Sequence, residues 1–507
     1  MITKDIFDVI EITSSYIPER MDRRRILSIT HNSKYAAPMS LFVCKSGSQK
    51  DGHLYAGQAY EKGARVFLAE KKLDLPNDAA VLITPDTADA LCKLAVYFYD
   101  NPSKDMKIIG VTGTKGKTTV ALSVYSIASA QGIKIGYIGT NGVYFCSTVA
   151  ETVNTTPDPL ELQKYLRLMK NAGVEVVIIE VSSQALWQNR IYGIEFDTCA
   201  FTNLYEDHIG GIEHPTFEHY RNCKKMLFTN YNAKNIVVNI DSKDSNYMID
   251  GVCCDNIVKV SANGDEQADI YAKNAMKIKN GIVPGVSFDC RVKTKSSDEP
   301  ESIDDIFIPL PGMYSVENGL LIIAICRLLN IPQSDITKRL ALSCVPGRFE
   351  VTVLKSCPDV LFVIDYAHNG ASLSAVLNAL KEYEPKRIIC VFGSVGGRTF
   401  GRRRELGLVA AKDADVIIVT SDNPDSEDPM IIINEICEAI ADSDKEVYKI
   451  PDRKEAIIKA ISIAEKGDFV LLAGKGHESY QLIRGERIPF SEKEILMQAD
   501  VSALQKA

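Results

Sequence analysis

The sequence lacks the features of membrane-spanning, secreted and general nucleic-acid-binding proteins. Its apolar runs are no longer than a strand, so we expect no transmembrane span. Its 58 Lys and Arg residues stand against 66 Asp and Glu residues, and this net charge of −8 predicts no nucleic-acid partner. The 13 cysteines include no C-x-x-C pair, which disfavours a disulfide framework or a paired-cysteine zinc site. Acidic residues near the start interrupt any secretory signal, so we expect a cytoplasmic protein.

What the chain does have is a regular alternation of apolar, strand-length runs with helix-length amphipathic segments. This pattern predicts an α/β fold with mainly parallel sheets that are buried on both faces. Polar breaks at 101–105 and 344–347 divide the 507 residues into three predicted domains, 1–104, 105–345 and 346–507. The predicted strands include 107–112, 174–181, 197–202, 236–240, 359–365, 387–393, 415–420 and 468–473.

Residues 108–119, IIGVTGTKGKTT, place a glycine-rich turn between a predicted strand and a predicted helix. Glycines allow backbone N–H groups to surround a phosphate, and the helix N-terminus adds partial positive charge. Lys117 can reach the terminal phosphates, and the Thr118 hydroxyl can bind Mg²⁺. Gly110 stands one position too early for the strict phosphate-loop pattern, so a plain glycine turn is the alternative. The strand–loop–helix context favours nucleotide binding by Gly113, Thr114, Lys115, Gly116, Lys117, Thr118 and Thr119.

Polar residues follow several other predicted strands, where ligands bind in open parallel sheets. Glu180 and His208 could complete a Mg²⁺ site beside Thr118, although each alone could be an ordinary ion-paired or hydrogen-bonded residue. A second group of strand ends comprises 365–368, 421–425 and 473–478 in the last third of the chain. The basic segment 396–404 is either a solvated loop or a binding site for a carboxylate or phosphate.

Taken in order, these motifs resemble those of the Mur ligase family of peptidoglycan synthesis, over nearly the whole chain. The resemblance implies a UDP-binding N-terminal domain, a central phosphate-loop ATPase domain and a Rossmann-like C-terminal domain. It also implies an ATP-dependent reaction in which a carboxylate becomes an acyl phosphate, which the amine of an amino acid then attacks. The implied acceptor is UDP-N-acetylmuramoyl-L-alanyl-D-glutamate, and we expect the enzyme to be a monomer. The motifs are TGTKGKTT, NTTPDPLEL, EVSSQAL, FTNLYEDH, HYRNCKKML, PGRFE, DYAHN, SDNPDSEDP and AGKGHE.

The resemblance also implies roles for individual residues. Lys117 matches the phosphate-binding lysine, and the implied Mg²⁺ ligands are Thr118, Glu180, His208 and Lys224, the last after carbamylation. The implied contacts to the nucleotide from elsewhere in the chain are Asn318, Arg348 and Asp365. The implied contacts to the UDP-muramoyl substrate are Ser33, Ser48, Gln49, Lys50, Asn154, Thr155, Thr156, Ser182, Gln188 and Arg190. Those to the incoming amino acid are Arg398, Asp422, Asn423, Asp425, Gly474 and Glu478.

One departure from the family pattern bears on which amino acid is added. Members that select meso-diaminopimelate carry Asp-Asn-Pro-Arg, whose arginine pairs with the distal carboxylate of that diacid. Here the fourth residue is Asp425, which would repel the carboxylate and attract an ammonium group. The sequence therefore predicts L-lysine or another amino acid with a terminal amine, such as L-ornithine. The alternative is meso-diaminopimelate, with the missing cation supplied by a neighbouring residue.

Further departures leave open a paralogue with an altered carboxylate acceptor. They are Lys115, Gln184, Gly210 and the run His31-Asn32-Ser33-Lys34. A folylpolyglutamate or cyanophycin synthetase relative is disfavoured, because residues 40–70 resemble the UDP-binding domain. A non-catalytic scaffold is disfavoured because Lys117, Glu180, His208 and Lys224 are all present.

Overall fold

The structure, a computed structural model, describes residues 1–505 apart from residues 20, 47–50, 207–208, 211–212, 295–296 and 398–399. The chain forms two compact units, residues 1–260 with 324–330 and residues 261–323 with 331–507. The predicted α/β class and its mainly parallel sheets are confirmed. The boundaries after residues 104 and 345 stay predictions. Within the described ranges, no helix has the length and apolar character needed to cross a bilayer.

The first unit begins with a small sheet of strand order β1-β5-β4-β3-β2, in which only β1 is antiparallel. Strands β3 and β4 are buried along their whole length, as expected for parallel strands covered on both faces. The strands are β1 (Ser14–Tyr16), β2 (Ser28–Thr30), β3 (Ser40–Val43), β4 (Val66–Ala69) and β5 (Ala80–Ile83). The α-helices are α1 (Ile6–Val9), α2 (Ala56–Glu61) and α3 (Thr87–Phe98).

A larger sheet in the same unit has the order β13-β12-β11-β6-β10-β7-β8-β9, parallel except for β8 and β9. Its strands are β6 (Lys107–Thr112), β7 (Ile135–Gly139), β8 (Gly142–Phe145), β9 (Thr148–Ala150), β10 (Val176–Glu180), β11 (Thr198–Phe201), β12 (Asn235–Asn239) and β13 (Asn256–Ser261). The helices between them are α4 (Lys117–Ala130), α5 (Pro159–Asn171), α6 (Ser183–Trp187), α7 (Phe217–Thr229) and α8 (Ser245–Ile249). Because β10 and β11 flank β6, the residues that follow all three strands meet at one edge of the sheet.

The second unit begins with an antiparallel segment that the sequence pattern did not predict. Strands β14 (Ile270–Asn280), β15 (Val283–Thr294) and β16 (Ser297–Ile308) pair consecutively. Helices α9 (Tyr314–Leu328) and α10 (Gln333–Leu340) come next in the chain.

The last sheet of this unit has the order β17-β18-β22-β19-β20-β21, in which only β17 is antiparallel. The strands are β17 (Glu350–Leu354), β18 (Cys357–Asp365), β19 (Ile388–Phe392), β20 (Val416–Val419), β21 (Glu446–Lys449) and β22 (Phe469–Ala473), followed by the hairpin β23 (Tyr480–Ile483) and β24 (Glu486–Pro489). The helices are α11 (Gly370–Lys381), α12 (Phe400–Asp413), α13 (Pro429–Glu438), α14 (Arg453–Ile463) and α15 (Glu492–Leu504).

A buried ion pair fixes the strand ends of this sheet. Arg453 Nε donates to Glu492 Oε1 at 2.9 Å, and both side chains are almost completely buried. The same guanidinium donates to the carbonyl oxygens of Ser421 (3.1 Å) and Ala473 (2.7 Å). One arginine therefore ties the ends of β20 and β22 to the last helix. Burial raises the pKa of Glu492, and its arginine partner opposes that shift.

Candidate active site

The phosphate loop has the backbone that its glycines predict. Gly113 and Gly116 have φ values of 150° and 85°, and a Cβ at Gly113 would overlap the Thr202 hydroxyl oxygen. Helix α4 begins at Lys117, so the N–H groups of its first turn face the loop. Asn203, which follows β11, holds the loop: its carbonyl oxygen accepts from Thr114 N and its Oδ1 from Lys115 N, both at 2.9 Å.

Two lysine side chains meet at one carbonyl oxygen of this loop. Lys117 Nζ and Lys224 Nζ each donate to Gly113 O at 2.8 Å, so the two nitrogens can be no further apart than twice that distance. Lys224, on α7, is only 1% exposed, and its Nζ lies 4.6 Å from the centre of the Tyr220 ring. At an effective dielectric constant of about 20, two unit charges at that greatest separation repel by about 3 kcal/mol. A phosphate anion bound at the loop would be attracted by both charges.

Glu180 is fully buried at the end of β10 and accepts hydrogen bonds on both oxygens. Its Oε1 accepts from Tyr137 OH at 2.5 Å and from Thr140 N at 3.1 Å. Its Oε2 accepts from Thr118 Oγ1 at 2.8 Å and from Thr140 Oγ1 at 3.2 Å. Burial, and next the Glu180 charge, raise the pKa of Tyr137 well above its ordinary value, so the phenol keeps its proton. The carboxylate and the Thr118 hydroxyl are oxygen ligands of the kind that Mg²⁺ prefers, so these residues fit the metal.

A polar surface continues from Glu180 along the segments predicted to hold the UDP-muramoyl substrate. Thr156 Oγ1 donates to the Glu180 carbonyl oxygen at 2.8 Å and accepts from Ser182 N at 3.0 Å. Arg190 donates to the Thr156 carbonyl oxygen at 3.0 Å and to Gln188 Oε1 at 2.7 Å. Thr155 Oγ1 lies 3.1 Å from Thr140 Oγ1, which itself contacts Glu180. The structure therefore brings together the predicted residues Thr155, Thr156, Ser182, Gln188 and Arg190, whereas Asn154 is exposed.

Asp158 connects this surface to the region of the first small sheet. The sequence analysis did not predict Asp158 as a site residue. Asp158 caps α5, and its Oδ2 lies 3.6 Å from Lys45 Nζ and 4.0 Å from His31 Nε2. The predicted residue Ser33, two positions after His31, is buried and donates to Gln58 Oε1 at 3.1 Å. Burial, the largest influence, lowers the pKa of His31. The predicted site residues Ser48, Gln49, Lys50, His208 and Arg398 lie outside the described residues.

The second unit gathers another set of predicted residues at the end of β18. Both oxygens of Asp365 accept backbone hydrogen bonds, from Phe349 N at 2.7 Å and from Ala367 N at 2.8 Å. Burial is the largest influence on this carboxyl group and raises its pKa. The Arg348 guanidinium lies 5.3 Å from the centre of the Tyr366 ring. Asn318 is buried on α9.

The strand ends of β20 and β22 form a compact charged cluster. Lys475 Nζ, completely buried, donates to Glu478 Oε2 at 2.6 Å and to Asn423 Oδ1 at 2.9 Å, and lies 3.9 Å from Asp422 Oδ1. Asn423 Nδ2 donates to the same Glu478 oxygen at 3.0 Å. Gly474 precedes the lysine, and a Cβ there would lie 2.8 Å from Asp422 Oδ2. The sequence predicted every member of this cluster except Lys475, although Lys475 lies inside the motif AGKGHE.

Asp425 is bound to the backbone of the β23–β24 hairpin. Its Oδ1 accepts from Gly485 N at 2.8 Å, and its carbonyl oxygen accepts from Arg484 N at 2.7 Å. Its own N–H donates to the Leu482 carbonyl oxygen at 2.9 Å, and its φ of 51° suits this turn. The carboxylate therefore stabilises a hairpin, which the sequence interpretation of Asp425 as an ammonium partner did not anticipate.

A glycine loop suited to phosphate, an oxygen pair suited to Mg²⁺ and strand-end acids on α/β sheets are features of a nucleotide-dependent enzyme of the α/β class. Three family profiles match the sequence: Mur ligase family, catalytic domain (residues 25–99); Mur ligase middle domain (111–326); and Mur ligase, glutamate ligase domain (347–476). The chain belongs to the Mur ligase family of peptidoglycan synthesis. The resemblance inferred from the motifs is thereby confirmed.

Three similar proteins illustrate the relationship. The UDP-N-acetylmuramoyl-L-alanyl-D-glutamate--2,6-diaminopimelate ligase of Clostridium botulinum is 36% identical over 487 residues, 95% of this chain and 96% of the relative. The ligase of the same name from Caldanaerobacter subterraneus subsp. tengcongensis is 38% identical over 471 residues, 93% of this chain and 94% of the relative. A solved structure of a UDP-N-acetylmuramoyl-L-alanyl-D-glutamate--2,6-diaminopimelate ligase has a TM-score of 0.67 at 26% identity and covers 100% of this chain and 99% of its own.

Proposed function

We propose that this enzyme adds diaminopimelate, as the meso isomer, to UDP-N-acetylmuramoyl-L-alanyl-D-glutamate. The observation that carries the proposal is the similarity to ligases named for this reaction, at 36–38% identity over more than nine-tenths of both chains. The comparisons thus favour the alternative amino acid over the L-lysine that Asp425 suggested. Because the Asp425 carboxylate accepts a hydrogen bond from Gly485 N, its negative charge is partly offset within the hairpin.

The hairpin also offers the cations that a second carboxylate needs. Arg484 is exposed in the turn next to Asp425, and Arg487 lies on β24 with its guanidinium 4.4 Å from the centre of the Tyr480 ring. Both follow Glu478 closely in the chain, and Glu478 belongs to the cluster assigned to the amino acid. We infer that one or both arginines replace the arginine that the family motif carries at the position of Asp425.

The chemical step is assigned to the first unit. Lys117 and the α4 N-terminus would hold the terminal phosphates of ATP, while Thr118 and Glu180 would hold Mg²⁺, with His208 as a further ligand. Bound Mg²⁺ would neutralise charge on the γ-phosphate. The substrate carboxylate attacks that phosphate, the bond to the β–γ bridging oxygen breaks, and ADP leaves an acyl phosphate behind. The amine then attacks the carbonyl carbon, loses a proton and displaces inorganic phosphate to form the amide. Thr155, Thr156, Ser182, Gln188 and Arg190 orient the UDP-muramoyl dipeptide beside this centre, together with Ser33, Ser48, Gln49, Lys50 and Asn154.

Lys224 is proposed to act as a carbamate. Loss of a proton from its ammonium, addition of CO₂ to the free amine and loss of a second proton would give an N-carboxylate. Attraction to Lys117 would then replace the repulsion across Gly113 O. The carbamate oxygens would also add hard ligands beside the Mg²⁺ pair.

Asn318, Arg348 and Asp365 are proposed as further nucleotide contacts, and Arg398, Asp422, Asn423, Asp425, Gly474 and Glu478 as amino-acid contacts. The cytoplasmic location and the monomeric state stay predictions.

A second candidate, addition of L-lysine or L-ornithine, is favoured by one observation, the acid at position 425. Phosphate release in the presence of ATP, Mg²⁺ and the UDP-muramoyl dipeptide distinguishes the candidates when each amino acid is supplied separately. We expect stimulation by meso-diaminopimelate and a rise in its KM on Arg484→Gln or Arg487→Gln. The exposed Arg23→Gln serves as the control. Stimulation by lysine or ornithine alone would refute the choice of amino acid, and no stimulation by any would point to a different acceptor.

A further inference from the structure

Two histidines and a cysteine, none of which is assigned a role in the ligase reaction, lie close together at α7. His214 precedes the helix, and His219 and Cys223 lie one turn apart on it. The Nδ1 atoms of His214 and His219 are 2.9 Å apart, and Cys223 Sγ is 3.7 Å from His219 Nδ1. One ligand atom from each of the three residues lies within 4.8 Å of the others. His214 and Cys223 are buried, so the cluster is not an accidental meeting of surface side chains.

Two of the three separations are close to those of a tetrahedral metal site, and the third is at most 4.8 Å. Zn²⁺ binds nitrogen at about 2.0–2.1 Å and sulfur at about 2.3 Å, which places neighbouring ligands at about 3.3 Å (N to N) and about 3.6 Å (N to S). The observed distances of 2.9 and 3.7 Å differ from these by only a few tenths of an ångström. Small rotations of the side chains would therefore bring the three ligand atoms around one ion.

The surroundings of His214 also resemble those of a metal ligand. Its Nε2 lies 2.8 Å from Ser183 Oγ, within hydrogen-bond distance. When Nε2–H donates to that hydroxyl, Nδ1 keeps its lone pair on the side of His219 and Cys223. Histidines that bind metals commonly donate their second N–H to an oxygen in this way. The ring of Trp187 covers the cluster, with centroid distances of 5.8 Å to His214 and 5.0 Å to His219.

We propose that His214 Nδ1, His219 Nδ1 and Cys223 Sγ bind one divalent transition-metal ion of the Zn²⁺ class, with water as the fourth ligand. On binding, the His219 ring proton moves from Nδ1 to Nε2 by exchange with solvent, and the Cys223 thiol loses its proton to solvent and coordinates as thiolate. Nitrogen and sulfur ligands separate this site from the oxygen-rich Mg²⁺ site at Thr118 and Glu180. Because Lys224 follows Cys223 directly, an ion here would fix the helical turn that presents Lys224 to the phosphate loop.

Cobalt is a suitable probe, because Co²⁺ replaces Zn²⁺ and reports its ligands by absorption. The full chain is stripped of metal by a chelator and titrated with Co²⁺ in saturating Mg²⁺, which occupies oxygen sites. We expect one equivalent to produce a sulfur-to-cobalt charge-transfer band and the visible bands of a four-coordinate ion, both abolished by Zn²⁺. Trp187 is the single tryptophan of the chain, so its fluorescence should be quenched in parallel.

Two variants and a control decide the outcome. Cys223→Ser should remove the charge-transfer band, and His219→Gln should weaken Zn²⁺ binding by about 10- to 100-fold or more. Cys437→Ser, a buried helical cysteine in the other unit, should change neither. Thermal unfolding of each apo-protein shows whether it is folded. Absence of the band, or a band of equal strength in folded Cys223→Ser, would overturn the proposal and leave a hydrogen-bonded cluster only.

Discussion

Replacing Glu180 by glutamine tests whether this buried carboxylate serves the metal or only the fold. The Oε1 position must remain an acceptor, because the backbone N–H of Thr140 can only donate to it. The new NH₂ group therefore takes the Oε2 position, where the hydroxyls of Thr118 and Thr140 can turn and accept. Glu180→Gln thus keeps its shape and its partners.

The effect of Glu180→Gln on stability should be much smaller than its effect on catalysis. Hydrogen bonds to Oε1 change from charge-assisted to neutral and lose about 1 kcal/mol each, but the cost of burying a charge disappears. We therefore expect the free energy of unfolding to change by less than about 2 kcal/mol. Loss of a charged Mg²⁺ ligand instead removes several kcal/mol of transition-state stabilisation, which lowers kcat by about 10²- to 10³-fold.

The assay is the initial rate of phosphate release as a function of Mg²⁺ concentration, with urea unfolding measured on the same samples. Glu175→Gln is the matched control, because Glu175 is exposed just before the start of the same strand. The control should retain the parent rate and Mg²⁺ dependence. If Glu180→Gln stays within about threefold of the parent rate with unchanged Mg²⁺ dependence, the carboxylate is structural and the metal assignment is refuted.

Two other substitutions test the buried charges. Lys224→Arg keeps the positive charge but cannot form the carbamate, so turnover should fall by about 10²-fold or more. Lys225→Arg is the control and should leave turnover unchanged. Equal turnover in both variants would contradict the carbamate proposal. Arg453→Met leaves the Glu492 carboxylate buried and unpaired, so urea unfolding should show a loss of about 3–5 kcal/mol. Lys466→Met breaks the exposed pair with Asp359 and should lower the free energy of unfolding by no more than about 1 kcal/mol. An equal loss in both variants would show that the buried pair stabilises the fold no more than the exposed pair does.

Local patterns in the sequence predicted the strands and the phosphate loop well. Strand β6 coincides with residues 107–112, and α4 begins at Lys117, because glycine spacing and apolar runs act over a few residues. The antiparallel strands β14–β16 were not predicted, since their sequences are largely polar and lack a continuous apolar run. Their hairpin pairing depends on turns and partners rather than on apolar content.

Side-chain partners brought together by the fold were harder to predict. Asn203 and Asp158 lie within motifs quoted for the family resemblance, yet their bonds to the loop and to Lys45 depend on loop conformations. For Asp425, the side chain itself led to a partner that the structure does not show. Its carboxylate predicted an ammonium partner, whereas in the fold it accepts a hydrogen bond from the Gly485 N–H of the hairpin. His219 and Cys223 are spaced by one helical turn in the sequence, a pattern that the absence of C-x-x-C pairs does not address.

The central claim, that this Mur ligase joins diaminopimelate to the UDP-muramoyl dipeptide, is tested most directly by identifying the product. The enzyme is incubated with ATP, Mg²⁺, UDP-N-acetylmuramoyl-L-alanyl-D-glutamate and an equimolar mixture of meso-diaminopimelate, L-lysine and L-ornithine. The molecular mass of the product is then measured by mass spectrometry. The account predicts that the dominant product has gained one diaminopimelate residue. A dominant lysine or ornithine adduct, or an unchanged dipeptide, would contradict it.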